Sequence, residues 1–172
     1  LVGGRRPIVS THHTINSSYD PVFRELERLT RRFNRVTTGV SNAVVDSFTD
    51  QKEPIRTDWT VVYNGLNCSD WANSVEATSR MSADLSDELG LSDNQFVFLN
   101  VGRYVPQKHQ ALLIEATDRL VSTHPDVRVL LVGWGRLEER YRQLVEDLNL
   151  ESNVTITGRV PQPEPYYALA DC

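Results

Sequence analysis

Six residues without a charge among them, Phe96-Val97-Phe98-Leu99-Asn100-Val101, constrain this chain more than any other stretch. A run that short and that apolar suits a strand covered on both faces of a parallel sheet, because a half-exposed strand would alternate apolar and polar residues. Gly102 ends the run, and its freedom in φ is expected to let the backbone turn just past the carboxyl end of the strand. Arg103 and Lys108 follow in a loop stiffened by Pro106, and a helix is expected from about Gln110. In an open α/β sheet, ligands bind outside the carboxyl ends of the strands, and a helix amino terminus beside two cations suits a diphosphate. The residues alone leave a second reading open, an ordinary strand-loop-helix corner with two solvated charges.

The rest of the chain alternates in the same way. Residues 7–11 read as a strand that ends at His12-His13-Thr14. Asp20-Pro21 marks a helix start, an N-cap acid followed by proline at the first helical position. Val22, Leu26, Leu29 and Phe33 recur at helical spacing, so this helix is expected to bury one stripe. Residues 35–40 and 59–63 read as strands, Ser41 caps a short helix between them, and Asn64-Gly65 is expected to turn with positive φ. A polar, helix-prone stretch follows, with Met81, Leu85 and Leu89 as its stripe and Gly90 as its C-cap. Past Phe96 come a helix packing Leu113, Ala116 and Leu120, and a buried strand over 127–132 that closes on Gly133-Trp134-Gly135. Leu137, Tyr141, Leu144 and Leu148 make the next helix amphipathic. A last strand over 153–157 leads to Gly158-Arg159-Val160, and residues 166–172 begin a further helix or strand. Such alternation points to an α/β fold with parallel sheets.

Composition narrows the function classes. No apolar run is long enough to cross a bilayer, and the chain opens without an apolar leader, so no signal peptide is expected. Cys68 and Cys172 are too few for a disulfide scaffold or a cysteine metal site, and both are expected to be reduced in a cytoplasmic setting. Charge is split unevenly: residues 1–64 carry net +2 and residues 65–172 net −7. The basic surplus comes from Arg24, Arg28, Arg31, Arg32 and Arg35, expected along one helix. A solvated helix face is the favoured reading, and peripheral contact with an anionic membrane is the alternative. A pI of about 5.4 argues against a nucleic-acid partner, which needs basic surplus.

The segment Gly102-Arg103-Tyr104-Val105-Pro106-Gln107-Lys108, followed by Leu112-Leu113-Ile114-Glu115-Ala116, resembles the VGRLVPQKG…LLIEA signature of family-4 glycosyltransferases. The chain has His109 where that family usually has glycine. Further likenesses are VVYNGLN at 61–67 to the VIYNGID segment joining the two domains, GVSNAV with Ser41 and Asn42 to AVSE, NVTITGRVP to NVTFLGRVP, and YYALADC to LYAAADV. Together they run from about Pro7 to Cys172. The resemblance implies the GT-B fold, two Rossmann-like domains with parallel sheets, both incomplete in this chain. Residues 1–65 would be the C-terminal part of the acceptor-side domain, and residues 66–172 the first part of the donor-side domain.

The resemblance also implies the chemistry. A sugar would pass from a nucleoside-diphosphate-sugar donor to a sugar, lipid-linked or other hydroxyl acceptor, with retention of anomeric configuration. Gly102, Arg103 and Lys108 would hold the donor diphosphate, and no metal or other cofactor is expected, since two cations do that work and no Asp-x-Asp motif is present. STHHT at 10–14 resembles the family's xTFHT, which makes His13 the catalytic candidate that orients the sugar. Gly133, Gly158, Arg159 and Val160 would meet the donor nucleotide. Gly133-Trp134-Gly135 fits the family's VGDGP with Trp134 and Arg136 in place of Asp and Pro, and is expected to shape the cleft wall. A dinucleotide fingerprint fits poorly, because the third glycine of G-x-G-x-x-G falls on Glu138. The family's PSxxEGFG stretch, with its glutamate pair, is expected just past Cys172, and the chain without it is expected to bind donor poorly and to turn over little or nothing. Two other readings stay open: a nucleotide-sugar epimerase of GT-B fold, and a non-catalytic nucleotide-binding α/β module. A cytoplasmic location, peripheral to the membrane if the basic helix meets it, completes the expectation.

Overall fold

The computed structural model describes residues 7–49 and 58–172. The chain divides into two compact units, Leu1–Leu66 and Asn67–Cys172. In the first, strands β1 (Ile8–His12), β2 (Asn34–Gly39) and β3 (Asp58–Val61) form a parallel sheet in the order β1-β2-β3. Helix α1 (Pro21–Arg31) starts where the proline predicts, and the Asp20 carboxylate accepts the Val22 amide at 2.9 Å. Helix α2 (Asn42–Thr49) is capped by Ser41, whose hydroxyl accepts the Val44 amide at 3.3 Å, and it buries Val44 and Phe48.

Three expectations for this unit are corrected. The α1 stripe is exposed at Val22, Leu26, Leu29 and, just beyond the helix, Phe33. The residues of α1 most shielded from solvent are Glu27 and Arg31. Arg31 binds Glu27 through two hydrogen bonds and lies over the rings of Phe48 and Trp59 at 5.4 and 5.3 Å. The aromatic cluster on the sheet thus takes a guanidinium where the periodicity called for leucine. Arg35 belongs to β2, so the five arginines do not share one helix. Neither Asn64 nor Gly65 has positive φ. An Asn-Gly pair takes that conformation to reverse a hairpin, and the next element here is a helix.

The second unit contains helices α3 (Cys68–Ala77) and α4 (Ser79–Glu88), then β4 (Phe96–Val101), α5 (Gln110–Val121) and β5 (Val127–Val132). Helix α6 (Glu138–Asp147), strand β6 (Val154–Ile156) and helix α7 (Glu164–Leu169) complete it. The three strands are parallel in the order β4-β5-β6, with Phe96 opposite Val127 and Val101 opposite Val132. The central strand β5 is the one buried on both faces: Val129 and Leu131 pack with Ile114, Tyr141, Val145, Leu150 and Val154, and Leu130 and Val132 pack with Val97 on the other side. Alternation of side chains across a strand explains why its whole run must be apolar.

Strand β4 is only partly buried, and Phe96 is exposed, contrary to the expectation of full cover. Its outer edge is met by the last residues, where Leu99 donates to the Cys172 carbonyl at 2.8 Å and Asp171 to that of Val97 at 2.9 Å. Two helix faces are also rotated from the predicted stripes. Helix α5 buries Gln110, Ile114 and Thr117 and exposes Ala116, while α4 buries Ser82 and exposes Met81. Gly90 ends α4 with φ +61, as a C-terminal glycine should. Among the described residues no helix is long and apolar enough to cross a membrane.

Candidate functional site

At the carboxyl ends of β4, β5 and β6 the backbones of three loops are tied together. Gly102 donates to the Val132 carbonyl at 2.9 Å, Tyr104 to that of Trp134 at 2.9 Å, Leu137 to that of Tyr104 at 3.3 Å and Gly133 to that of Gly158 at 3.2 Å. Strand-like pairing therefore continues past Val101, and the chain turns not at Gly102 but in a 3-10 turn at Pro106–Lys108. Gly102 has no positive φ, and a Cβ there would meet nothing nearer than 3.9 Å.

The glycines that matter to this corner lie on the β5 loop. A Cβ on Gly133 would stand 1.9 Å from the Gly102 carbonyl oxygen, and one on Gly135 would stand 2.5 Å from that of Tyr104. Both positions are filled by backbone, so only a residue without Cβ lets the loops approach this closely. The pair thus packs the β5 loop against the loop that follows β4. Glu138, which breaks the dinucleotide fingerprint, lies beside Gly158 and is paired with Arg142 at 2.9 Å.

Within the extended segment 102–104, successive side chains point to opposite faces. Tyr104 is fully buried, donates its hydroxyl to the Leu131 carbonyl at 2.7 Å and packs edge-on against Tyr141; burial pushes its phenol well above the ordinary value. Arg103 is turned outward by the same alternation, and Lys108 is exposed at the end of the 3-10 turn. Arg159 is exposed and lies over the Trp134 ring at 5.6 Å. Val160 is partly buried against the Val97, Leu130 and Val132 cluster.

Sequence reasoning missed the support beneath this loop. His109 adopts the left-handed conformation, φ 52 and ψ 33, at the position where the resembling family has glycine. Gln110 next to it is 1% exposed, and its amide reaches both Arg103 and Tyr141. A polar residue at the helix-facing position that Ile114 and Thr117 continue was the available signal.

In the first unit, His13 is exposed immediately past the carboxyl end of β1. Its neighbour His12 is buried among Phe48, Trp59 and Tyr19, with Nε2 at 3.4 Å from the Glu27 carboxylate, an ion-pair distance without hydrogen-bond alignment. Burial pushes the Glu27 carboxyl up, but contacts from His12 and Arg31 outweigh it and hold the group at about 2. The predicted residues thus fall in two sets, His13 in one unit and Gly102, Arg103, Lys108, Gly133, Gly158, Arg159 and Val160 in the other.

A cavity of about 500 Å³ lies at the other end of the second sheet, lined by Phe96, Phe98, Leu120, His124 and Val127, and includes none of these residues. The meeting of three strand ends marks the loop cluster. No group of three or more His, Cys, Asp or Glu among the described residues is placed to hold a metal ion.

Residues 82–172 match the family of glycosyl transferases group 1. Over 98% of its length the chain is 30% identical to a GDP-mannose-dependent alpha-(1-6)-phosphatidylinositol monomannoside mannosyltransferase of Mycolicibacterium smegmatis, of which it covers 44%. It is 26% identical to an N-acetyl-alpha-D-glucosaminyl L-malate synthase of Bacillus anthracis, covering 99% of the chain and 44% of that protein. The crystal structure of Anabaena HepE in complex with UDP matches 96% of the chain with a TM-score of 0.73 and 25% identity, and 45% of HepE is covered. The chain spans less than half the length of each of these relatives. Its α/β fold, with two parallel three-stranded sheets, is that of GT-B glycosyltransferases. The chain belongs to the glycosyl transferases group 1 family.

Proposed function

We propose that this chain carries the donor-diphosphate site of an enzyme that moves a sugar from a nucleoside diphosphate to a hydroxyl acceptor with retention of configuration. The observation that carries the proposal is the Gly102-to-His109 loop, which presents Arg103 and Lys108 outward at the carboxyl ends of parallel strands while its backbone is pinned by the neighbouring loops. When the bond between the anomeric carbon and the diphosphate oxygen breaks, negative charge grows on the leaving diphosphate. Fixed cations stabilise that charge, usually the largest demand of such a step. Arg103 and Lys108 take this role without a metal, and His13 orients the sugar. The segment Gly158-Arg159-Val160 meets the base through its main chain, which leaves base identity to other contacts.

Relatives named for GDP-mannose and for a UDP complex support a nucleotide-sugar donor. The phosphatidylinositol monomannoside in the first name supports a lipid-linked or sugar hydroxyl as acceptor. Titration of the chain with UDP and with GDP, followed by amide NMR, tests the reading. Binding is expected to shift the amides of residues 102–110, and Lys108→Ala is expected to weaken it roughly tenfold. Unchanged affinity in Lys108→Ala would refute the charge role. An epimerase would release an altered nucleotide sugar without an acceptor, and a binding module would release no sugar at all.

A second reading concerns the acceptor side. Helix α1 exposes Val22, Phe23, Leu26 and Leu29 beside Arg24 and Arg28, a combination that suits the surface of an anionic bilayer. The chain is expected to sediment with vesicles of anionic lipid and not with zwitterionic ones, and Leu26→Glu is expected to abolish the difference. Equal sedimentation with both lipids would count against it.

A further inference from the structure

We infer that Gln110 is a positioning residue for the Arg103 loop, an inference that rests on the reading of Arg103 and Lys108 as the diphosphate site. Gln110 opens α5 on the same face as Ile114 and Thr117, where an apolar side chain would pack as well. It is 1% exposed instead, and a buried amide is tolerated only when its donor and acceptor are both used. Both are used here. Nε2 donates to the Arg103 carbonyl at 3.1 Å and lies 3.4 Å from Asn100 Oδ1, while Oε1 accepts the Tyr141 hydroxyl at 3.3 Å. Tyr141 is itself 2% exposed, so the hydroxyl that orients the amide is held in the core.

The consequence for the loop is geometric. The amides on either side of Arg103 are fixed by the β5 loop, through Gly102 to Val132 and Tyr104 to Trp134. The Arg103 carbonyl also accepts the Val105 amide at 2.9 Å, but that contact lies within the loop and moves with it. Gln110 ties the carbonyl to helix α5. With the Tyr104 amide bound to Trp134 and the Arg103 carbonyl bound to Gln110, both ends of the peptide plane after Arg103 are held, and the Cα–Cβ bond of Arg103 keeps one direction on the loop that ends at Lys108. Gln110 therefore acts on the diphosphate through Arg103 and touches no ligand itself.

The test titrates the 172-residue chain with UDP and with uridine, following amide NMR, in the wild type and in Gln110→Met, Gln110→Glu and Tyr141→Phe. Gln110→Met preserves volume and removes the amide, and Gln110→Glu preserves shape but replaces the donor by an acceptor. UDP affinity is expected to fall roughly tenfold in Gln110→Met and further in Gln110→Glu, as loss of a buried hydrogen bond at this point would allow. Tyr141→Phe leaves the amide in place without its guide, and is expected to show a smaller loss in the same direction. Uridine affinity should not change. A merely structural role predicts a lower Tm with the same UDP affinity, or equal losses for UDP and uridine; either result overturns the inference. A wild-type chain that does not distinguish UDP from uridine would overturn the diphosphate reading itself, and the inference with it.

Discussion

Gly135→Ala should open the corner that carries Arg103 and Lys108. The added Cβ would lie 2.5 Å from the Tyr104 carbonyl oxygen, 2.8 Å from its nitrogen and 2.9 Å from its carbonyl carbon, where ordinary contact begins at 3.4 Å. All three atoms are backbone, so no side-chain rotation relieves the clash, and the loops must separate by nearly an ångström. Two hydrogen bonds cross that gap, from Tyr104 to Trp134 and from Leu137 to Tyr104. Weakening both, at ~1 kcal/mol each, together with overpacking of ~1–3 kcal/mol, gives an expected destabilisation of ~3–5 kcal/mol. For a domain stable by ~5–15 kcal/mol this is a large fraction. Urea dependence of amide hydrogen exchange in β5 reports this unit by itself, which avoids treating a two-unit chain as two-state. Gly102→Ala is the control within the same unit, since a Cβ there meets nothing nearer than 3.9 Å, and it should be nearly neutral. A Gly135→Ala chain within ~0.5 kcal/mol of wild type would refute the close-approach argument, because surface substitutions alone scatter by that much.

Acid should weaken the first unit through Glu27. Its carboxyl is held at about 2 against an ordinary 4.5, so the stabilisation is fully present above about pH 4.5 and disappears as pH falls toward 2. Glu27→Gln should be less stable near neutrality and should flatten the loss over that window; parallel curves for the two proteins would remove Glu27 as its source. His109→Gly should stabilise the second unit by about 0.5 kcal/mol, because relief from the left-handed conformation outweighs the greater freedom of glycine in the unfolded chain. Thermal unfolding checks it, and a lower Tm for the variant would show that the imidazole makes a compensating contact.

Local chemistry made much of this fold legible. Asp20-Pro21, Ser41 and Gly90 act within one helical turn of their own position, and each does in the structure what capping requires. The strand over 127–132 was legible because its place in the middle of the sheet leaves no face for a polar residue. Phe96-to-Val101 looked alike in sequence and yet lies near an edge, since an apolar run states what a strand tolerates and not how many neighbours it has. Asn64-Gly65 failed for a related reason: the pair permits a reversal, and only a following antiparallel strand would demand one.

Residue type and spacing by themselves determined the alternation of strands with helices, the parallel α/β class and the exposed cations at the end of β4. The tertiary structure alone decided which face α1, α4 and α5 bury, that Gly133 and Gly135 serve the backbone of another strand, and that Gln110 answers to Arg103 and Tyr141. Caps and strand runs are set by interactions a few residues apart, whose partners are written beside them. A helix face, a Cβ-free approach or a buried amide is set by a partner on another element, and only folding brings that partner into reach.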